Sequence, residues 1–135
     1  MCTIRPQGSL EFLQSIAAAE SVDIEAVEVV PSIMEWCEQH GIDETNLNRM
    51  GKTVRNLTTG RPRILLADEI TPSMQSGVCF VLDSRGFSDE TSQLQNPRTF
   101  LTHLFLHELA HARDDNATED DCDRWAFSRL SAYAA

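Results

Sequence analysis

Basic residues are scarce in this 135-residue sequence: eleven Lys and Arg stand against 21 Asp and Glu, a formal charge of −10. A surface of that sign repels phosphate backbones and anionic lipid headgroups, which argues against nucleic acid and membrane surfaces as partners. No apolar run approaches the ~20 residues of a membrane helix. The opening "MCTIRPQGSLEFLQ" lacks the basic stretch and following apolar run of a signal peptide. Four cysteines, Cys2, Cys37, Cys79 and Cys122, include no CxxC pair. Without an export signal they are expected to be reduced thiols, two or three of them buried, in a cytoplasmic protein. Internal repeats and low-complexity segments are also absent. What remains is ordinary globular composition, 41% hydrophobic and 24% charged, in a chain long enough for a single domain that buries roughly 70% of its unfolded surface.

Periodicity and punctuation sketch the elements. "SLEFLQSIAAAES" carries Leu10, Leu13, Ile16 and Ala17 at helical spacing behind Ser9 as cap. "DIEAVEVVPSIMEWCEQHG" extends the helical pattern, broken or bent at Pro31 and stopped at Gly41, with Met34 and Trp36 in the core. A short helix is expected between Leu47 and Leu57. "RPRILLA" and "GVCFVLD" read as two strands, and "SRGFSDETSQLQN" as a loop or edge strand. "NPRTFLTHLFLHELAHARDD" opens a helix with Asn96 as cap and Pro97 at its first position. "ATEDDCDRWAFSRLSAYAA" forms a last helix, capped by Thr118 with Asp121 three residues on. The expected fold is α+β: a helical N-terminal part over residues 1–60, then a small central β-sheet and two closing helices over 61–135.

The chemistry concentrates in "HELAH", residues 107 to 111. On a helix, positions four apart differ by about 40° in azimuth and ~6 Å in height, so the imidazoles of His107 and His111 reach one point above a single face. Two nitrogens at ~2.0–2.1 Å suit a tetrahedral zinc ion. Glu108, next to the first histidine, is placed to take the proton of a water activated by the metal. His103 continues the series but lies ~12 Å along the axis from His111, too far to share the same ion. Asp114 and Asp115 follow too closely and are expected to face solvent. On the next helix Glu119 can reach the metal, while Asp123, one turn later, can accept a hydrogen bond from a ligand imidazole. Cys122 is read as packing, as are Trp125 and Phe127.

HExxH followed on a later helix by Glu-x-x-x-Asp, with "DRWAF" (Asp123 to Phe127) after it, resembles the gluzincin metallopeptidases. Among them it is most similar to the small bacterial-type ImmA/IrrE-like and minigluzincin-like domains. The resemblance covers residues 62 to 133 and implies a zincin-like fold with Glu119 as third zinc ligand. It has two departures. Only seven residues separate His111 from Glu119, which demands a tight turn. The residue that would steady the developing oxyanion is also undetermined, with Tyr133 and His103 as candidates beside Arg124 and Arg129.

The expected function is a zinc-dependent metallopeptidase that hydrolyses a peptide or protein substrate through a metal-activated water. One Zn2+ per chain would sit on His107, His111 and Glu119, with Glu108 as general base. The alternative is a non-catalytic or regulatory zinc-binding module of the same fold that docks a partner protein. Retention of Glu108 favours the enzyme, since a purely structural site has no use for a carboxylate there. Substrate identity and oligomeric state carry no readable signal.

Overall fold

The sheet is organised by an unbroken apolar run within its middle strand. In the computed structural model, which describes residues 3–133, β3 (Pro62–Ala67) presents Ile64, Leu65 and Leu66, all fully buried. Successive strand side chains point to opposite faces, so such a run requires cover on both. Ile64 and Leu66 join the main core with Leu13 and Ile16 of α1 (Leu10–Ala19) and Phe105, Leu106 and Leu109 of α5 (Pro97–Arg113). Leu65 turns the other way, onto Ile33 and Cys37 of α2 (Ile33–Gln39).

β3 is the middle of three strands. β1 (Ala26–Val30) pairs with it in parallel, with Val27 opposite Ile64, and β2 (Gly51–Arg55) pairs antiparallel, with Thr53 opposite Ile64. α3 (Pro72–Ser84), α4 (Ser88–Thr91) and a 3-10 turn at Ser92–Gln95 lead into α5, and α6 (Glu119–Leu130) closes the order. The fold is therefore α+β, with six α-helices and a small mixed sheet among the described residues. None of those helices is long and apolar enough to cross a membrane.

Four local expectations are corrected. Residues 23–41 are not one helical stretch: Ala26–Val30 is strand, because Val27 and Val29 pack on the main core while Val30 faces α2. Pro31 then separates β1 from α2, and Gly41 ends α2 with φ 72° as anticipated. The helix expected between Leu47 and Leu57 is replaced by β2; those two leucines are 67% and 100% exposed, so they offer no buried helical face. "GVCFVLD" is not a strand but the C-terminal part of α3, whose start signal lies upstream, where the Thr71 hydroxyl accepts from Met74 N at 3.2 Å and Pro72 takes the first turn. The stretch after it is helical rather than an edge strand, with Leu94 fully buried. Before residue 60 the described chain holds α1 and α2 and also two of the three strands, and β3 pairs with both. Cys37 and Cys122 are buried free thiols and Cys79 is half-buried; Cys2 lies outside the described residues.

β2 lies close against α5 at Gly51. A Cβ there would stand 3.2 Å from Leu104 Cδ1 and 3.3 Å from Glu108 Cγ, so a side chain at 51 would require those two neighbours to give by a few tenths of an ångström. Gly51→Val is expected to force the two apart and lower unfolding free energy by about 1–3 kcal/mol, measured by urea denaturation; an unchanged midpoint would show that the strand has room to spare.

Candidate metal centre

The site is built by a helix hairpin. Asn96 caps α5 by accepting from Arg98 N at 3.0 Å and Thr99 N at 3.2 Å, and the helix then runs seventeen residues to Arg113. The turn that follows is tight and self-bonded: Asp114 Oδ1 accepts from Asn116 N at 3.0 Å, and Asp114 O from Ala117 N at 3.1 Å. Thr118 and Asp121 then form a reciprocal capping pair, both bonds 3.1 Å. That cap starts α6 at Glu119 and turns its side chain back toward α5.

The carboxylate of Glu119 bridges the two histidines of the motif. Oε2 stands 3.0 Å from His107 Nε2 and Oε1 2.9 Å from His111 Nε2. One turn further along α6, Asp123 Oδ1 accepts from His107 Nδ1 at 2.7 Å, so the other ring nitrogen, Nε2, is the one that faces Glu119. Cys122 lies on the same side of α6. Its Sγ and ring nitrogens of His107 and His111 all fall within 4.8 Å of one another, so these three residues could hold a metal ion. Asp114 and Asp115 are exposed as expected, and Asp115 pairs with Arg55.

The electrostatics follow from this pairing. Burial alone would depress His107, but its bonds to Asp123 and Glu119 prevail and raise its pKa to about 10. His111 is raised by its bond to Glu119, and the two histidines in turn hold the Glu119 carboxyl far below the usual range. Burial, aided by the nearby Glu119 and Glu108, pushes the Cys122 thiol up to about 12. Ligands ~2.0–2.1 Å from a common tetrahedral ion stand roughly 3.3 Å apart, and the Glu119 oxygens stand 3.0 Å and 2.9 Å from the two rings.

Glu108 is oriented from the sheet. It is 6% exposed, and the Thr53 hydroxyl of β2 lies 2.9 Å from its Oε1 and 2.8 Å from its carbonyl oxygen. Two clefts meet here. One, of about 290 Å3, is bordered by Arg49, Lys52, Arg55 and Asp115; the other, of about 550 Å3, runs between α3 and α5. His107, Glu108 and Glu119 line both.

The candidates for steadying an oxyanion are mostly elsewhere. Tyr133, with Arg129, is bonded to Glu20, and lines neither cleft. Arg124 points to Asp121 at 3.7 Å. His103 is close but buried: desolvation lowers its pKa to about 4, its ring packs on Phe127 with centroids 4.3 Å apart, and Nε2 stops 3.6 Å from Asp123 Oδ1. It is a neutral imidazole in the wall of the larger cleft. Residues that the sequence reading missed include Thr53 and Arg85. The latter, just after α3, places Nη1 2.9 Å from Asp123 Oδ2 and also holds Asp120. Neither is marked by any local pattern, since each meets its partner across a long sequence separation.

Comparison of the chain with protein-family models, with characterised proteins and with solved structures finds no match, so the site is interpreted from its own geometry.

The chain Arg85–Asp123–His107 makes a graded prediction for metal affinity, measured by chelator competition. Asp123→Ala is expected to weaken it about 10- to 100-fold. Arg85→Ala should cost part of that and Arg85→Lys should recover some of it. Equal affinity in all three variants would show that the carboxylate does not orient the imidazole.

Proposed function

We propose that this chain is a zinc-dependent metallopeptidase of gluzincin type, with His107, His111 and Glu119 as the metal-holding residues and Glu108 as general base. The observation that supports it most is the convergence of two Nε2 atoms on one carboxylate, with a separate carboxylate beside them that is engaged only by Thr53. Glu119 is preferred to Cys122 as third ligand because its carboxylate stands within 3.0 Å of both Nε2 atoms.

Zinc in such a site supplies a Lewis acid that polarises a carbonyl and lowers the pKa of water to ~7. The protein's own groups do the rest. Glu108, held by Thr53, accepts the proton of the attacking water and can return it to the leaving amine. Asp123 and Arg85 fix the ring plane of His107. The substrate class is suggested by β2. Asn56 N bonds Arg61 O and Met50 O accepts from Ala67 N, so the alternating antiparallel register turns the backbone groups of Gly51, Thr53 and Arg55 away from β3, toward the open edge. An extended peptide can add to such an edge, and all three residues line the cleft at the histidines.

The closeness of Cys122 favours the rival, a regulatory module whose metal is structural: with Cys122 added, the centre would have four protein ligands and no open position. Against this, Glu108 would then be a buried carboxylate without a task.

Glu108→Gln separates the two readings. The variant is expected to keep its fold and its zinc and to lose about 10²–10⁴-fold of the parent's rate on a broad peptide library. A variant as active as its parent would remove Glu108 from the mechanism.

A further inference from the structure

Cys122 has no task in the hydrolytic reading. It is a free thiol on α6, three residues after Glu119 and fully withdrawn from water. Three residues along a helix amount to a rise of ~4.5 Å and an azimuthal step of about 60°, so both side chains leave the same side of α6. Their surroundings differ, since the Glu119 side chain is 65% exposed.

A second observation is what lies beside the thiol. Its Sγ and a ring nitrogen from each of His107 and His111 fall within 4.8 Å of one another. Three ligands that hold an ion in their own plane at ~2.0–2.3 Å stand roughly 3.5–4 Å apart, inside that bound. The hairpin therefore carries two donor sets. Both contain the two imidazoles; the third member is a carboxylate in one and a thiol in the other.

Ion chemistry separates the sets. Carboxylate oxygen suits harder divalent ions, whereas thiolate sulfur selects soft ones, Cu(I) among them, and imidazole serves copper and zinc alike. Charge points the same way. A thiolate cancels the charge of a monovalent ion, so a Cu(I) centre on two neutral imidazoles and Cys122 is neutral overall. Such a centre suits a position without access to water, where an unbalanced charge is costly.

We propose that the hairpin is also a site for a soft monovalent cation of the Cu(I) class, held by His107, His111 and Cys122 in place of Glu119. On binding, the S–H bond breaks and the metal–sulfur bond forms, because a coordinating thiol is deprotonated outright. The thiol proton, with any proton on the coordinating imidazole nitrogens, passes to water. No electron moves, since the ion enters and remains as Cu(I). The two sets share their imidazoles, so the soft ion and zinc exclude each other. The inference rests on the metal-centre reading for those imidazoles and is independent of peptide hydrolysis.

The test titrates Cu(I) against bicinchoninate without oxygen, and zinc against a chelator, for the parent, Cys122→Ser, Cys122→Ala and Glu119→Gln. Circular dichroism checks the fold of each, and Cys122→Ala, which buries no hydroxyl, keeps the test open if the serine variant unfolds. The parent is expected to bind Cu(I) and release zinc as it does so. The Cys122 variants should lose more Cu(I) affinity than the roughly 10- to 100-fold that loss of an outer hydrogen-bond partner costs, and should keep their zinc affinity. Glu119→Gln should show the reverse. X-ray absorption of the Cu(I)-loaded parent should find a sulfur neighbour that is gone in Cys122→Ala. Unchanged Cu(I) affinity in the Cys122 variants, no sulfur in the parent's copper shell, or sulfur that persists in Cys122→Ala would overturn the site and leave the zinc reading standing. Equal loss of zinc and copper in folded Cys122 variants would overturn both, because one ligand set would then serve both ions. Copper bound as expected by a parent that takes up no zinc would keep the soft-ion site and remove the peptidase.

Discussion

Asp123 carries a carboxylate on α6 that is almost wholly withdrawn from water, and three helices meet on it. Oδ1 takes the Nδ1 hydrogen of His107 from α5, and Oδ2 pairs with Arg85 at the end of α3. A buried charge of this kind is tolerated only when its lone pairs are satisfied, and removing one partner of such a pair typically costs ~3–5 kcal/mol. The arrangement therefore fixes more than a ring plane. It sets the distance between α5 and α6, and with it the point where Glu119 meets His107 and His111. The cap at Thr118 has the same effect from the other end, since a helix begun one residue later would turn Glu119 away from the histidines.

The sheet makes a second contribution through its edge. β2 lies close against α5 at Gly51, where a Cβ would crowd Leu104 and Glu108, and the Thr53 hydroxyl of the same strand reaches Glu108. The general base proposed here is thus oriented by a strand far from it in sequence, while the groups proposed to hold a metal are oriented by the helix hairpin. The two sets share α5, since Thr53 bonds both the side chain and the backbone carbonyl of Glu108.

What was legible in the sequence is what is encoded locally. Asn96-Pro97 and Thr118 with Asp121 mark helix starts through bonds that span three residues, and the structure forms both. The i, i+4 spacing of His107 and His111, and of Glu119 and Asp123, needed only a helix to become geometry. The strands β1 and β2 are not legible because their stability comes from β3, across 37 and 7 to 15 positions, and a window of local periodicity contains no trace of that partner. α3 was misread because its apolar run was taken without the Thr71-Pro72 start upstream of it. Cys122 is a different case: it follows Glu119 by three residues, which on a helix is the same side, so its nearness to the histidines was available from spacing.

The central claim is that two imidazoles and one carboxylate hold the metal and leave a position open. X-ray absorption of the zinc-loaded protein at the metal edge tests it directly, because sulfur and nitrogen or oxygen ligands differ in both distance and scattering. The account predicts one zinc per chain with a nitrogen and oxygen shell at ~2.0–2.1 Å and no sulfur. A sulfur shell at ~2.3 Å would place Cys122 on the metal, close the site, and contradict the assignment of Glu119 and the hydrolytic function built on it.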